Sequence, residues 1–321
     1  MTQRRTLGSS GIEIPAVGIG CNAFGTRIDA ERVQSVVDAA IEHGVAFFDT
    51  ADSYGQGISE ELLGQAIGAR RDQVVIATKF GMDMGGANGD DRGRRGSAQY
   101  VRTAVEASLR RLGVDHIDLY QLHTPDPNTP IAETLGALDA LVQAGTVRAI
   151  GCSNLQAWQL VDAAWTSRTE GLASFATAQN EYSLYNRTAE VELTPACESL
   201  GVGILPYFPL AYGLLTGKYR RGEAAPPGSR LDAQSARLEG AEWDRIEALQ
   251  EFARRHEITL LELAIGGLAA QPAVSSVIAG VTSAEQVASN AAAGTWTPTA
   301  AQLDELAQIG RPSMSYTTFA P

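Results

Sequence analysis

The chain is expected to fold as an α/β protein, a (β/α)8 TIM barrel, and three observations lead there. Eight short apolar runs fall near residues 16–20, 45–49, 74–79, 117–122, 147–152, 176–180, 203–207 and 274–279. They are continuous rather than alternating, as parallel strands covered on both faces are, and patterns of helical period separate them. Several runs stop on a polar residue: Val45-Ala46-Phe47-Phe48 on Asp49, Val74-Val75-Ile76-Ala77-Thr78 on Lys79, and Ile117–Leu122 on His123. Parallel strands of one barrel end on one rim, so these residues should meet there.

In chain order, residues 4–15 read as an N-terminal β-hairpin turning at Ser9-Ser10-Gly11. Asp29 caps the first helix, Val33, Val36, Val37, Ala40 and Ile41 form its buried stripe, and Gly44 follows its end. Ser97 starts another helix, with Val101, Ala104, Val105, Leu109 and Leu112 inward and Gly113 at the stop. Thr129-Pro130 opens the next, with proline at the first helical position, and Gly145 ends it. Two long connections, Gly81–Gly96 after strand 3 and Ala211–Gly240 after strand 7, fall on the strand-end rim, where such loops form lids or substrate walls. No linker or low-complexity stretch interrupts residues 1–321, which are expected to form a single domain.

Composition narrows the function. The net charge is −12 with scattered acids, which argues against nucleic-acid or membrane-surface partners. Arg92, Arg94 and Arg95 are a basic cluster, but in a glycine-rich loop. The three cysteines, Cys21, Cys152 and Cys197, make no disulfide framework and suit a reducing compartment. Met1-Thr2-Gln3-Arg4-Arg5 leads into no apolar stretch and no run is long enough to span a bilayer, so a cytoplasmic protein is expected. Of 25 basic residues only Lys79 and Lys218 are lysine, which marks both as positions wanting a compact ammonium.

An acid, a phenol, an amine and an imidazole (Asp49, Tyr54, Lys79 and His123) on one rim suggest proton transfer. Each has a plainer reading alone: a strand-end acid satisfying loop amides, a rim aromatic, a structural histidine. Their arrangement on consecutive strand ends favours the joint reading. His43, His116 and His256 lack metal-ligand spacing.

The same stretches resemble the aldo-keto reductases. Asp49-Thr50-Ala51-Asp52-Ser53-Tyr54-Gly55, Thr78-Lys79-Phe80 and Leu122-His123 carry the resemblance first. Ile150-Gly151-Cys152-Ser153-Asn154 and Gln179-Asn180-Glu181-Tyr182 follow, then Tyr207-Phe208-Pro209-Leu210 and Gly213–Tyr219, and finally Gly280–Gln286 with Asn290. The match runs in order from about Leu7 to about Asn290 and points to the branch holding bacterial stress-type reductases and potassium-channel beta subunits.

That resemblance implies an NADP(H)-dependent oxidoreductase moving a hydride between nicotinamide and a carbonyl or alcohol, with NAD(H) as the second candidate cofactor. Tyr54 would be the general acid/base, Lys79 its activating ammonium, Asp49 the partner of Lys79, and His123 a hydrogen-bond donor to the carbonyl oxygen. A phenol titrates near ~10. An ammonium ~4 Å away, at an effective dielectric of ~20, would favour the phenolate by about 4 kcal/mol before desolvation. Ser153, Asn154 and Gln179 would hold the carboxamide, Tyr207 would stack on the ring, and Leu210, Gly213 and Lys218 would line the pyrophosphate channel. Gly20, Cys21, Asn22, Asp49, Phe208, Pro209 and Gly280 complete the cofactor set. Thr282-Ser283-Ala284-Glu285 would be a capping box opening the last helix, with Thr282, Gln286 and Asn290 toward the adenosine and Arg230 at the 2′-phosphate. Many relatives have serine at the position of Phe208 and glutamate at that of Ser289, and some carry arginine near Thr282; these departures bear on cofactor preference, not cofactor class. The Ser153-Asn154 pair could instead cap the helix after strand five.

Three other readings use the same residues. Gly18-Ile19-Gly20-Cys21-Asn22-Ala23 satisfies the dinucleotide fingerprint of a Rossmann fold, with Asp49 as ribose acid. Lys79 could be a Schiff-base nucleophile on the same barrel, although Asp49 would keep it charged. The chain could also be a redox-sensing, non-enzymatic auxiliary subunit. Phe24, Met82 and Tyr182 are expected to help wall the substrate pocket, while Trp158, Trp165 and Trp296 are left between core and interface.

Overall fold

The computed structural model describes residues 3–232 and 234–312. Met1 and Thr2, from the N-terminal stretch read above, lie outside that range.

The hairpin forms as expected: β1 (Arg4–Thr6) pairs antiparallel with β2 (Glu13–Pro15) around a turn containing Gly8 and Gly11 at positive φ. Eight parallel strands then follow in sequential order. They are β3 (Val17–Gly20), β4 (Phe47–Asp49), β5 (Val75–Phe80), β6 (Ile117–Leu122), β7 (Val147–Ser153), β8 (Thr177–Gln179), β9 (Gly203–Ile204) and β10 (Val277–Gly280). The sheet runs from β3 to β9 with β10 beside β3. Parallel bridges Ile204↔Val274 and Tyr207↔Ile278 join β9 to the β10 side, and Ile278 N donates to Pro206 O at 2.9 Å. The sheet therefore closes into the predicted barrel. A Rossmann sheet is excluded by this order, and the glycine pattern has another cause: a Cβ on Gly18 would stand 2.7 Å from Phe47 Cδ1. That glycine makes room for a packed phenyl ring.

Period-two alternation divides the barrel interior into two layers. Phe47, Ala77, Leu119, Ala149 and Ile278 form an apolar lower layer, which Leu7, Ile12 and Ile14 of the hairpin region plug from below. Two residues further along four of those strands come Asp49, Lys79, Gln121 and Gly151, and Ser153 and Gln179 pair beside them. The apolar-then-polar strand ends seen in the sequence are thus one polar storey above a hydrophobic floor.

The helices surround this sheet: α1 (Ala30–Glu42), α2 (Ile58–Ile67), α3 (Ala98–Leu112), α4 (Ile131–Gln143), α5 (Ala157–Glu170) and α6 (Leu193–Leu200). Then come α7 (Ser235–Glu239), α8 (Trp243–Arg255), α9 (Leu260–Glu262, continuing through a π-turn over Leu263–Gly267), α10 (Ala284–Ala293) and α11 (Ala300–Leu306). Asp29 and Ser97 cap α1 and α3, and Gly44, Gly113 and Gly145 take the left-handed conformation where these helices and α4 end. Two expectations shift by one residue. Pro130 is the cap of α4 with extended ψ 137°, not its first helical residue. Ser283, not Thr282, caps α10, accepting from Gln286 N. Gln286 returns the bond one residue earlier, its Oε1 accepting from Thr282 N at 2.8 Å. Nor is α10 the last helix: α11 follows and is tied to α8 through His256 Nε2 and Glu305 Oε2, 2.9 Å apart.

Both long connections leave the same rim. Gly81–Gly96 carries no helix or strand, while Ala211–Gly240 begins as a 3-10 segment, Ala211–Thr216, and contains α7. Trp158 and Trp165 are exposed on α5, and Trp296 packs against the outer core. Among the described residues no helix is long and apolar enough to cross a membrane, and no metal-ligand cluster occurs.

Candidate active site

Asp49 closes β4 and Lys79 sits near the end of β5, so the barrel interior holds both side chains almost wholly out of solvent. Lys79 Nζ donates to Asp49 Oδ2 at 2.7 Å, to the Thr50 carbonyl at 2.8 Å and to Tyr54 Oη at 3.4 Å. The other carboxylate oxygen of Asp49 accepts from Gln121 Nε2 at 3.1 Å and Gln179 Nε2 at 2.9 Å. A buried ion pair survives only when its remaining lone pairs and protons are satisfied. Here four groups do that: the Thr50 carbonyl and Tyr54 Oη from the segment after β4, Gln121 from β6 and Gln179 from β8. Gln121 was not picked out by sequence reading; its position two residues before His123 on a buried strand was the available signal.

Tyr54 lies on the turn after β4, and its ring meets the His123 ring edge-on at 5.9 Å between centroids. Ser53 Oγ lies 3.4 Å from His123 Nδ1. All four proposed catalytic residues therefore converge on one spot.

The electrostatics correct one expectation. Lys79 pulls the Tyr54 pKa down, but burial pushes it up more, and Asp49 adds to the rise by offsetting the ammonium. The net direction is upward, so the phenol keeps its proton well past neutrality. For Lys79, burial alone would lower the pKa; Asp49 and Tyr54 outweigh it and the ammonium stays charged. That leaves a Schiff-base route without a neutral amine. Burial, with Lys79 second, lowers His123 to about 3, so its imidazole is neutral and offers a hydrogen bond rather than a charge.

A cleft of about 600 Å³ opens from this spot. Of the proposed cofactor residues, Gly20, Asn22, Asp49, Ser153, Asn154, Gln179, Tyr207, Phe208, Pro209, Leu210, Gly213, Lys218, Arg230, Gly280, Thr282, Gln286 and Asn290 all line it. Cys21 does not. It is fully buried behind β3, its Sγ donating to the Ile19 carbonyl, because alternation turns it away from its neighbours Gly20 and Asn22. Phe24 and Tyr182 are likewise core residues rather than pocket walls, with Tyr182 Oη donating to Glu190.

Ser153 and Asn154 do not cap α5, whose cap is Gln156. Ser153 Oγ donates to the Gln179 carbonyl, Asn154 Nδ2 to the His123 carbonyl, and Tyr207 Oη to Asn154 Oδ1 at 2.8 Å. Asn154 sits at φ 61°, and Phe208, Ala211 and Tyr212 are also at positive φ. Non-glycine residues there cost about 1 kcal/mol or more each and concentrate at ligand clamps.

Arg27, from the loop after β3, also lines the cleft and escaped sequence reading, since it lies outside every quoted motif. Arg230 stacks over the Phe208 and Tyr212 rings at 5.4 and 5.1 Å. Burial, then the charge of nearby Arg27, lowers the Arg230 pKa. Arg221 pairs with Asp244 and Glu247, but among the described residues no carboxylate pairs with Arg27, Lys218 or Arg230. This end of the cleft suits an anion.

Comparison with known proteins places these observations. The model of the aldo/keto reductase family matches residues 16–311. A protein of Arabidopsis thaliana named "Probable voltage-gated potassium channel subunit beta" is 34% identical over 320 residues, 96% of this chain and 96% of its own. The Bacillus subtilis "Uncharacterized oxidoreductase YrpG" is 34% identical over 289 residues, covering 88% and 87%. Among solved structures, the holo form of aldo-keto reductase AKR11C1 from Bacillus halodurans superposes with a TM-score of 0.79 at 30% identity, over 96% of both chains.

Proposed function

The chain belongs to the aldo/keto reductase family, and from that premise we propose that it reduces aldehydes or ketones with NADPH, reversibly. The observation that carries this reading is the triple contact of Lys79 Nζ with Asp49, the Thr50 carbonyl and Tyr54 Oη at the floor of the cleft.

Bound nicotinamide would supply the hydride. The chain's residues would do the rest. Tyr54, protonated at neutral pH, donates its proton to the carbonyl oxygen as charge develops there. Lys79 stabilises the phenolate left behind, and Asp49 holds the ammonium in place. His123 donates a hydrogen bond to the same oxygen and orients it. The residues fit the cofactor: a cleft with a polar floor, an aromatic at Tyr207 and, at the far end, cations that no carboxylate among the described residues pairs. At the floor, Ser153, Asn154 and Gln179 would take the carboxamide; farther out, Lys218 would take the pyrophosphate and Arg230 with Arg27 the 2′-phosphate.

The test is a screen following nicotinamide absorbance with both cofactors against sugars, aryl aldehydes and bulky ketones. Two predictions sharpen it. Arg230→Ala should weaken NADPH binding by about tenfold, the worth of one charge-assisted bond, and leave NADH nearly unchanged; equal losses would remove the 2′-phosphate assignment. The kcat for reduction should stay level from about pH 6 to 9, because the donor phenol does not ionise in that range, whereas alcohol oxidation, which needs the phenolate, should quicken as pH rises. A fall in reductive kcat centred near neutrality would sink the assignment of Tyr54.

The similarity to a protein named as a channel beta subunit supports a second reading, an auxiliary subunit that senses redox state through a held cofactor. A tightly retained nucleotide with no turnover on any carbonyl tried would favour it.

A further inference from the structure

Between the catalytic turn and helices α2 and α3 lies a second buried polar cluster that the proposed reaction does not use. Asp52 and Glu60 are both 0% exposed, and Asn88, from the Gly81–Gly96 loop, is 3% exposed. Asn88 Nδ2 donates to Asp52 Oδ2 at 2.8 Å, and Arg111 Nη1 donates to Asn88 Oδ1 at 3.0 Å. Arg111 Nε donates to Glu60 Oε2 at 2.7 Å, and Thr78 Oγ1 to Glu60 Oε1 at 2.6 Å. Among the described residues, Asp52 Oδ1, Arg111 Nη2 and Tyr120 Oη have no partner. Glu60 thus pairs with the guanidinium directly, and the buried Asp52 reaches it only through Asn88.

Position makes this cluster matter. Asp52 N donates to the carbonyl of Lys79 at 3.1 Å, and Tyr54 is two residues on. The far half of the loop is strapped to its neighbour by Arg94 to Glu133 and by Gly96 N to Asp126. The near half has Gly81, Met84 and Asn88 as its buried residues, and of these only Asn88 has a polar side chain. Asp52 therefore joins the catalytic turn to a loop that starts beside His123, where a Cβ on Gly81 would stand 3.9 Å from His123 N.

We propose that Asp52 is a positioning residue: through Asn88 it clasps the Gly81–Gly96 loop against the Tyr54 turn, and the clasp is tight when its carboxyl carries a proton. This rests on the reductase reading only where substrate is concerned. The groups facing Asp52 are Glu60 on α2, Arg111 and Tyr100 on α3, Tyr120 on β6 and Asn88 on the loop. Burial, then the charge of Glu60, raises the Asp52 pKa to about 7, against the partial relief from Arg111 and Asn88. A hydrated carboxyl ionises near ~4. The closed, dry state thus binds the proton more tightly than an opened, wet one. Closure is fully favoured below about pH 4, weakens by at most about tenfold per unit as pH rises toward about 7, and changes no further above that.

The experiment compares the wild type with Asp52→Asn, a neutral near-isostere, from about pH 5 to 8. Hydrogen–deuterium exchange of peptides spanning Gly81–Gly96 is read as the ratio between the two proteins at each pH, which cancels the intrinsic exchange chemistry. The ratio should rise several-fold up to about pH 7 and then level. The carbonyl KM of the wild type should climb over the same range with kcat unmoved, while that of Asp52→Asn stays flat. Asn88→Ala, which removes the clasp from the other side, should show fast exchange and high KM at every pH; it also decides the matter if Asp52→Asn fails to fold. A wild-type exchange profile in Asp52→Asn, or an Asn88→Ala loop as protected as the wild type, overturns the proposal. Absence of carbonyl turnover in the wild type would count against the reductase reading while the exchange arm still judges the clasp.

Discussion

Replacing Tyr54 with phenylalanine is expected to lower kcat for carbonyl reduction by about a hundred- to ten-thousand-fold, the usual worth of a positioned proton donor. The phenol's contact with Lys79 Nζ is long, 3.4 Å, so its loss should disturb the Lys79–Asp49 pair little. Nucleotide affinity, measured by fluorescence titration, should stay within about twofold, because in the proposed reaction the hydroxyl meets the carbonyl oxygen rather than the cofactor. A variant retaining a tenth or more of the wild-type rate would remove Tyr54 from its role. The test is clean because it deletes one oxygen and leaves the ring's edge-on packing against His123 available.

Lys79→Met should be worse for the protein as a whole. It takes away the ammonium from a carboxylate that is 2% exposed and leaves Asp49 with only the amides of Gln121 and Gln179. Breaking a buried pair from one side costs about 3–5 kcal/mol, since the remaining charge has neither a counter-charge nor water. Denaturant unfolding should show that loss, and turnover should fall to background. Asp49→Asn/Lys79→Met, which removes both charges, should regain a large part of the stability and none of the activity. A cost below about 1 kcal/mol for Lys79→Met would mean that solvent reaches the pair and that the site is not the low-dielectric pocket described.

These two experiments target residues that the sequence made conspicuous, and the reason is physical. Asp49, Lys79 and His123 break off apolar runs that only a buried strand explains, and period two then fixes which of them face inward. What stayed hidden depended on side-chain packing. Cys21 sits between two residues that do line the cleft, and only the pleat turns it away. Gln121 looked like part of a strand because its partner, Asp49, comes from 72 positions earlier. Arg27 gained meaning only when folding brought it near Arg230. The downward shift expected for Tyr54 failed for the same reason: the sequence shows the ammonium, but the degree of burial that outweighs it is a property of the assembled barrel. Helix boundaries at Pro130 and Ser283 slipped by one residue, since capping was decided by which side chain reached the open amides.

The closure between β9 and β10 has a thermodynamic consequence. β9 contributes only two residues to its ladder, and isolated bridges complete the circle. This is the thinnest join in the wall, and the cleft runs across it, with Tyr207–Lys218 on one bank and Gly280–Asn290 on the other. A molecule lying over both banks would act as a rivet, so occupancy of the cleft and resistance to heat should be two readings of one equilibrium.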